Sequence, residues 1–406
     1  MAELVFKDIS FEDKNEKVRI NFLKLFYFDI EKSILDKIGK FKINKNKIEF
    51  QNIGDNKAQR RFNLILSKDF EELRNKLNNK KTIYIHKNSG IPLIGSTYFG
   101  LIDRGTNLIE IRPITSCNLN CIFCSVDEGK SSRRNVDFVV EKDYIIGEFK
   151  KIVDFKQESY IDAHINAQGE PLLYEDIVGL VADISKIPEV KSISIDTNGT
   201  LLSKQLIDEL AQVGLTRMNL SLHALDQEIA NKLAGTQYNL KKVKEMAAYI
   251  PNKMDLIITP VWIHGSNDKE LAKLAKFAYK VGAGKNYPGI GIQNFLSYQF
   301  GRNPVKQVDM GVFYKKMHDL EQKQGIQLIC DGGDFKIKKC KELPKPFKKG
   351  EIVRAKIVCQ GRLNKEMLAI AKNRVISVPN CYQEEGNIRV KIRKSKHNLF
   401  LGELLS

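Results

Sequence analysis

The chain has 406 residues, 42% hydrophobic and 28% charged, with a formal net charge of +17. That length allows two or three domains with a sizeable core, and no apolar run reaches the roughly 18 residues that a membrane span needs. The opening "MAELVFKDIS" lacks the basic-then-apolar layout of a secretory signal, so the expected location is the cytoplasm, where close cysteines mean metal more often than disulfide.

Residues 1–95 are rich in Lys, Asn, Ile and Phe and mix helical stretches such as "KDFEELRNKLNNKK" with strand-like ones. They predict an α+β extension of unknown role, without a chemical motif. From 96 to 300 the pattern is α/β: strand candidates "NLIEIRPI", "YIDAHINAQ", "VKSISIDTN", "RMNLSLHA", "DLIITPVWI" and "GIGIQNFLSY" alternate with amphipathic helical segments. Repeated βα units imply a parallel sheet. Six of them without a dinucleotide glycine fingerprint suggest a partial (β/α)6 barrel that works at the C-terminal ends of its strands.

Residues 301–347 read as a helical connector and a Pro/Lys-rich linker, "CKELPKPFKKG". From 348 to 406, short alternating strands punctuated by Gly, Pro and Asn predict a small closed antiparallel β-barrel of OB-like type. From Lys336 to Ser406, eighteen Lys/Arg stand against six Asp/Glu, which is +12 of the total charge. A basic module of that kind suits a polyanion, nucleic acid first. A solvated Lys-rich surface gives the same count.

Three of the seven cysteines lie within eight residues, in "SCNLNCIFCSV": Cys117, Cys121 and Cys124, spaced C-x3-C-x2-C just after the first barrel strand. Four thiolates complete a structural zinc site or an ordinary iron–sulfur cluster. Three leave a coordination position open for chemistry, unless a distant His or Cys completes a zinc knuckle. The loop, with Phe123 before its last cysteine, resembles the signature of the radical S-adenosylmethionine (SAM) superfamily. The resemblance implies that Cys117, Cys121 and Cys124 ligate a [4Fe–4S] cluster whose fourth iron binds SAM. It also implies reductive cleavage of SAM to a 5′-deoxyadenosyl radical, fed by an electron donor of flavodoxin or ferredoxin type.

Further stretches follow the family's order. "NAQGEPLLY" resembles its Gly-Gly-Glu element through Gly169, Glu170 and Pro171, with Gln168 in place of the first glycine. "DTNGT" brings Asn198 and Gly199 to the end of the third strand, where an Asn-Gly turn is an equally adequate reading. "NLSLHALD" and "VWIHGSNDKE" resemble the fourth and fifth strands of radical SAM RNA methyltransferases, which implies SAM contacts for Ser221 and Asn267. His223 is a structural histidine or a substrate-facing one. Gln293 and Tyr298 fit a sixth strand that faces the cofactor or simply packs.

The segment from about Lys348 onward resembles a TRAM domain through "GEIVRAKI", "VISVPN" and "NIRVKIRKSKHNLFLGEL". TRAM modules occur on RNA-modifying enzymes, so the resemblance implies RNA, tRNA foremost, as partner. Its expected backbone contacts are Lys356, Arg362, Arg389, Lys391, Arg393, Lys394 and Lys396. Residues 1–116 contain no cysteine, which departs from the cluster-bearing N-terminal domain of the methylthiotransferases and argues against sulfur insertion by that route. Cys330, Cys340, Cys359 and Cys381 are structural, or serve an auxiliary cluster or methyl transfer. Two alternatives stay open: radical SAM modification of a protein or cofactor precursor, and a non-catalytic RNA-binding protein with a structural metal.

Overall fold

In the N-terminal unit, residues alternate between core and solvent. The antiparallel meander Ile9–Lys14, Lys17–Phe22, Phe26–Glu31 turns Val18, Ile20 and Phe22 inward, the two-residue period of a half-buried strand. Helix Asp55–Asp69 buries Ala58, Phe62 and Leu66 at four-residue intervals, with Phe62 among the rings of Phe6, Phe11 and Phe50. The computed structural model describes residues 1–405. It gathers Met1–Ile85 and the returning segment Asn135–Val139 into this first compact unit, and the chain from His86 onward otherwise forms a second. The division thus falls at Ile85 rather than 95, and a strand from mid-chain, Val136–Val140, belongs to the six-stranded sheet that contains Lys81–Ile85.

The second unit contains the βα repeats. Its main sheet runs Asp255–Ile258, Arg217–Leu220, Val190–Thr197, Ile161–Ile165, Leu108–Arg112, Gly100–Asp103. The first five are parallel and the last is antiparallel. Helices return between them, and two begin on side-chain caps. Ser203 accepts from Leu206 N, and Asp226 accepts from Glu228 N and Ile229 N. The expected sixth strand is reduced to an Ile258–Ile290 bridge and a two-residue ladder, Val261–Trp262 with Gln293–Asn294. Pro260, which has no N–H to donate, interrupts the partner strand, and Gly289 and Gly291 weaken the other side.

The last five strands close into a barrel in the order Ile352–Gln360, Glu366–Ala371, Arg374–Pro379, Phe400–Leu405, Asn387–Lys394. Alternate residues, including Val353, Ala355, Ile357, Ile388, Val390 and Ile392, fill its core. The barrel is not wholly antiparallel as expected: Arg374–Pro379 and Phe400–Leu405 pair in parallel through Ile376–Phe400 and Ser377–Leu401. A loop of the βα half joins this short seam, as Val375 N donates to Ile94 O at 2.9 Å and Phe400 N to Gly95 O at 3.1 Å. Gly95 has φ +124°, and a Cβ there would stand 2.2 Å from Val375 O, so only glycine permits the approach. The expected linker also packs. Phe347 enters the barrel core edge-on to Phe400, and Leu343 N donates to Asp103 Oδ2 at 2.7 Å.

Candidate active site

The site is assembled where the parallel strands end. Directly after Leu108–Arg112, Thr115–Ser116 forms a two-residue parallel ladder with Gln168–Gly169, and Glu170 N donates to Ser116 O at 2.7 Å. A Cβ on Gly169 would lie 1.9 Å from Ser116 O, so the cysteine loop and the "GEP" stretch touch backbone to backbone. The loop is then pinned from two sides. Asn120 N and Ile122 N donate to Ala234 O and Leu233 O at 2.9 and 3.0 Å. Arg302 Nη1 donates to Asn120 O and Cys121 O at 2.8 and 3.1 Å, while its Nε meets Asp127 Oδ1 at 2.7 Å.

Cys117, Cys121 and Cys124 all line a cavity of about 420 Å³. Burial pushes the three thiols up, Cys121 to about 12. Leu119 N and Glu128 N donate toward the sulfurs of Cys117 and Cys124 at 3.4 and 3.2 Å. Thiols buried in this way become thiolates only beside a compensating cation. Among the described residues, no three His, Cys, Asp or Glu side chains converge to hold one metal ion. Three soft thiol donors on one cavity wall are the ligand set that an iron–sulfur cluster takes.

Most of the other expected residues stand on the same wall: Phe123, Gly169, Glu170, Pro171, Asn198, Ser221 and Gln293, with His223 and Tyr298. Glu170 is buried and accepts from Thr197 Oγ1, Asn198 N and Leu172 N at 2.7, 2.8 and 3.1 Å. Burial outweighs these donors and lifts its carboxyl to about 7. Its oxygens tie strand ends together, and the backbone beside it faces the cavity. Asn198 Nδ2 reaches Asn118 Oδ1 at 3.0 Å and its carbonyl accepts from Tyr238 Oη at 2.8 Å. Burial lowers His223 to about 4, so Nδ1 is free to accept Val261 N at 3.1 Å, and the ring sits edge-on to Phe123 at 4.9 Å.

Asn267 differs from expectation. It is buried off the cavity wall, donating to His223 O and Val261 O at 3.0 and 2.9 Å and accepting from Ile263 N at 2.9 Å. It braces the fourth and fifth strand ends. Among the wall residues not expected from the sequence are Arg112 and Asp196. Arg112 Nη2 meets Glu110 Oε2 at 2.8 Å; Asp196 accepts from Asn219 Nδ2 at 2.8 Å and lies 3.3 Å from His164 Nε2. Burial opposes ionisation of Asp196, but His164 and Asn219 hold its carboxyl below the usual range. Their signal was position, at or next to strand C-termini.

Residues 111–278 match the Radical SAM superfamily. The chain carries a radical SAM domain. A [4Fe–4S] cluster and SAM are the cofactors of radical SAM enzymes, and such enzymes need a reductant. The chain belongs to one family with Uncharacterized protein MJ0103 of Methanocaldococcus jannaschii, 42% identical over 370 residues, 84% of this chain and 85% of that one. The GTP 3′,8-cyclase of Listeria welshimeri is 32% identical over 180 residues, 43% of this chain, and the radical SAM chain here spans about half of that relative (51%). Among solved structures, Streptococcus suis SuiB is 15% identical at a TM-score of 0.44, over 80% of this chain and 71% of that one. Among the described residues no helix is long and apolar enough to cross a membrane.

On the C-terminal barrel, Lys356, Arg389, Arg393, Lys394 and Lys396 are exposed and Lys391 is half-buried. Arg393 pairs with Glu403. Arg354, which the sequence reading omitted, stands directly across the ladder from Arg389. Arg362 is a correction: it is fully buried and forms an ion pair with Glu128, four residues after Cys124, so it is out of reach of a phosphate. Cys381 packs in the barrel core, Cys330 Sγ faces Ile290 O at 3.4 Å, and Cys340 Sγ lies 3.4 Å from the buried Lys156 ammonium. All seven cysteines are free thiols.

Proposed function

We propose that this radical SAM enzyme modifies RNA, tRNA first, held by its C-terminal barrel. The observation that carries this reading is the Arg354–Arg389 pair, with Lys356 and Lys391 on the same two strands. Like charges directly opposite on a ladder destabilise it. A phosphate backbone reverses that penalty by neutralising them and releasing its own counterions.

In this reading Cys117, Cys121 and Cys124 hold the cluster, and the backbone around Gly169, Glu170 and Pro171 meets SAM beside it. When bound, cluster and SAM together supply a 5′-deoxyadenosyl radical for hydrogen abstraction from an unreactive C–H. The chain's own part is positioning. Glu170 fixes two segments, at Leu172 and at Thr197–Asn198, and Asn198 and Ser221 edge the cofactor. Neutral His223 and the ring of Phe123 form one apolar wall that excludes water, with Leu119 and Leu233. Arg112 and Asp196, each anchored by neighbours, present donors and an acceptor to a polar substrate. A flavodoxin or ferredoxin supplies the electron.

The similarity to GTP 3′,8-cyclases favours a second reading, a free nucleotide as substrate. The test is anaerobic reconstitution with iron and sulfide, then reduction with SAM and assay for 5′-deoxyadenosine, comparing wild type with Cys121→Ala. Product is expected in the wild type and only background in the variant. With tRNA from cells lacking the protein, a mass-shifted nucleoside is expected. Turnover with GTP but not with RNA would establish the second reading. No product, with zinc retained in place of iron, would overturn both.

A further inference from the structure

A second cavity, of about 960 Å³, lies between the βα half and the C-terminal barrel, lined by both. It shares two walls with the radical cavity. Val126 and Tyr298 face the radical cavity, while Asp127 and Phe300, one and two residues further along the chain, face the groove. Across so few residues the two spaces stand within roughly 7 Å of each other along the backbone.

The groove's chemistry is uneven in a telling way. Its two carboxylates are both engaged internally. Glu366 accepts Tyr98 Oη at 2.9 Å and Leu363 N at 3.0 Å, and Asp127 is held by Arg302 and Arg133 at 2.7 and 3.0 Å. Of its cations, Lys394 and Lys396 are exposed and, among the described residues, enter no hydrogen bond or ion pair with a side chain. Phe300 leaves 48% of its surface open, although its backbone is fixed by Arg134 Nη2 donating to its carbonyl at 2.5 Å. An aromatic face on a rigid backbone, beside free ammonium groups, is the pairing that holds single-stranded nucleic acid.

Backbone strain is stored at the same rim. His397, on the groove, and the next residue, Asn398, have φ of +57° and +54°, left-handed conformations uncommon outside glycine. They are held there by Asn398 Nδ2 donating to Leu343 O at 2.8 Å.

We propose that this groove is the track for a single-stranded stretch of the RNA substrate, with Phe300 stacking on a base and Lys394 and Lys396 contacting phosphates. A nucleotide leaving the track arrives at the mouth of the radical cavity. The inference rests on the RNA reading above and adds to it the place and form of binding.

The test uses the full-length reconstituted enzyme and a short fluorescent oligouridylate, titrated at several salt concentrations. Removing two phosphate contacts in Lys394→Gln/Lys396→Gln should weaken binding and flatten the log–log salt slope by about 1.4. Phe300→Ala should weaken binding about tenfold with the slope unchanged, and Phe300→Tyr should restore it. Iron content and melting temperature report whether each variant is folded. Folded variants that bind like the wild type would overturn the groove, as would equal wild-type binding of a duplex of the same length. If the wild type still modifies tRNA in that case, the RNA reading survives. If the wild type neither binds the oligonucleotide nor modifies RNA, both fall.

Discussion

On the wall of the radical SAM cavity, charged side chains are already matched by the protein. Glu170 takes three donors, Arg112 faces Glu110, and Asp196 is bracketed by His164 and Asn219. On the outer face of the C-terminal barrel the opposite holds, with Arg354 set directly against Arg389. Groups that must hold a cofactor in one geometry benefit from being fixed before it arrives. Groups that recruit a polyanion are more useful when nothing in the fold neutralises them. The difference separates a preset cavity wall from a barrel face whose arginines oppose each other.

Arg362 breaks that division, since it belongs to the barrel yet is buried against Glu128 beside the cysteine loop. Arg362→Ala removes one partner of a buried ion pair, which typically costs about 3–5 kcal/mol. The expected outcome is a markedly lower melting temperature with less iron retained, because Glu128 N also donates toward Cys124 Sγ. A variant that melts and binds iron like the wild type would show that the barrel and the cluster loop are independent.

His223 sharpens the cavity side. Burial holds it neutral down to about 4, whereas the unfolded chain takes up a proton near 6.5. The unfolded state therefore binds more protons between those values, and stability falls as pH drops through that window, by about 3 kcal/mol in all. His223→Gln removes the titration, so its melting temperature should decline less steeply from pH 6.5 to 4. Parallel pH profiles for the two proteins would place His223 in contact with solvent.

The smallest effect belongs to the outer face. Arg354→Gln should reduce tRNA affinity severalfold in a salt-dependent way, while the fold gains about 0.2–1 kcal/mol from relief of the cross-strand repulsion. Filter binding at two salt concentrations and one melting curve read both. Loss of stability without loss of affinity would mean that the face serves the fold.

The cavity was legible in the sequence because its parts obey a local rule. Cys117, Gly169, Asn198 and Ser221 each follow the C-terminal end of a parallel strand, so identifying the strands placed them together. The barrel was legible from alternation alone, as Val353, Ala355 and Ile357 show. What escaped depended on distant partners. Nothing near Arg362 announces Glu128, 234 positions earlier in the chain. The parallel seam requires Gly95, and the return of Val136–Val140 to the N-terminal unit is a pairing between strands with a whole motif between them. The place of Asn267 off the cavity wall escaped for the same reason, because a residue type that suits a ribose equally suits three backbone groups.

The seam at Gly95 also bears on how a target nucleotide would be chosen. The barrel is joined to the βα half by backbone hydrogen bonds, by Phe347 packed into its core and by the Arg362–Glu128 pair. It is therefore not a lure swinging on a tether. On the RNA reading proposed above, a strand gripped at a fixed spacing from the cysteine loop would be measured as if against a ruler, and distance along it would select the nucleotide as much as the identity of the base.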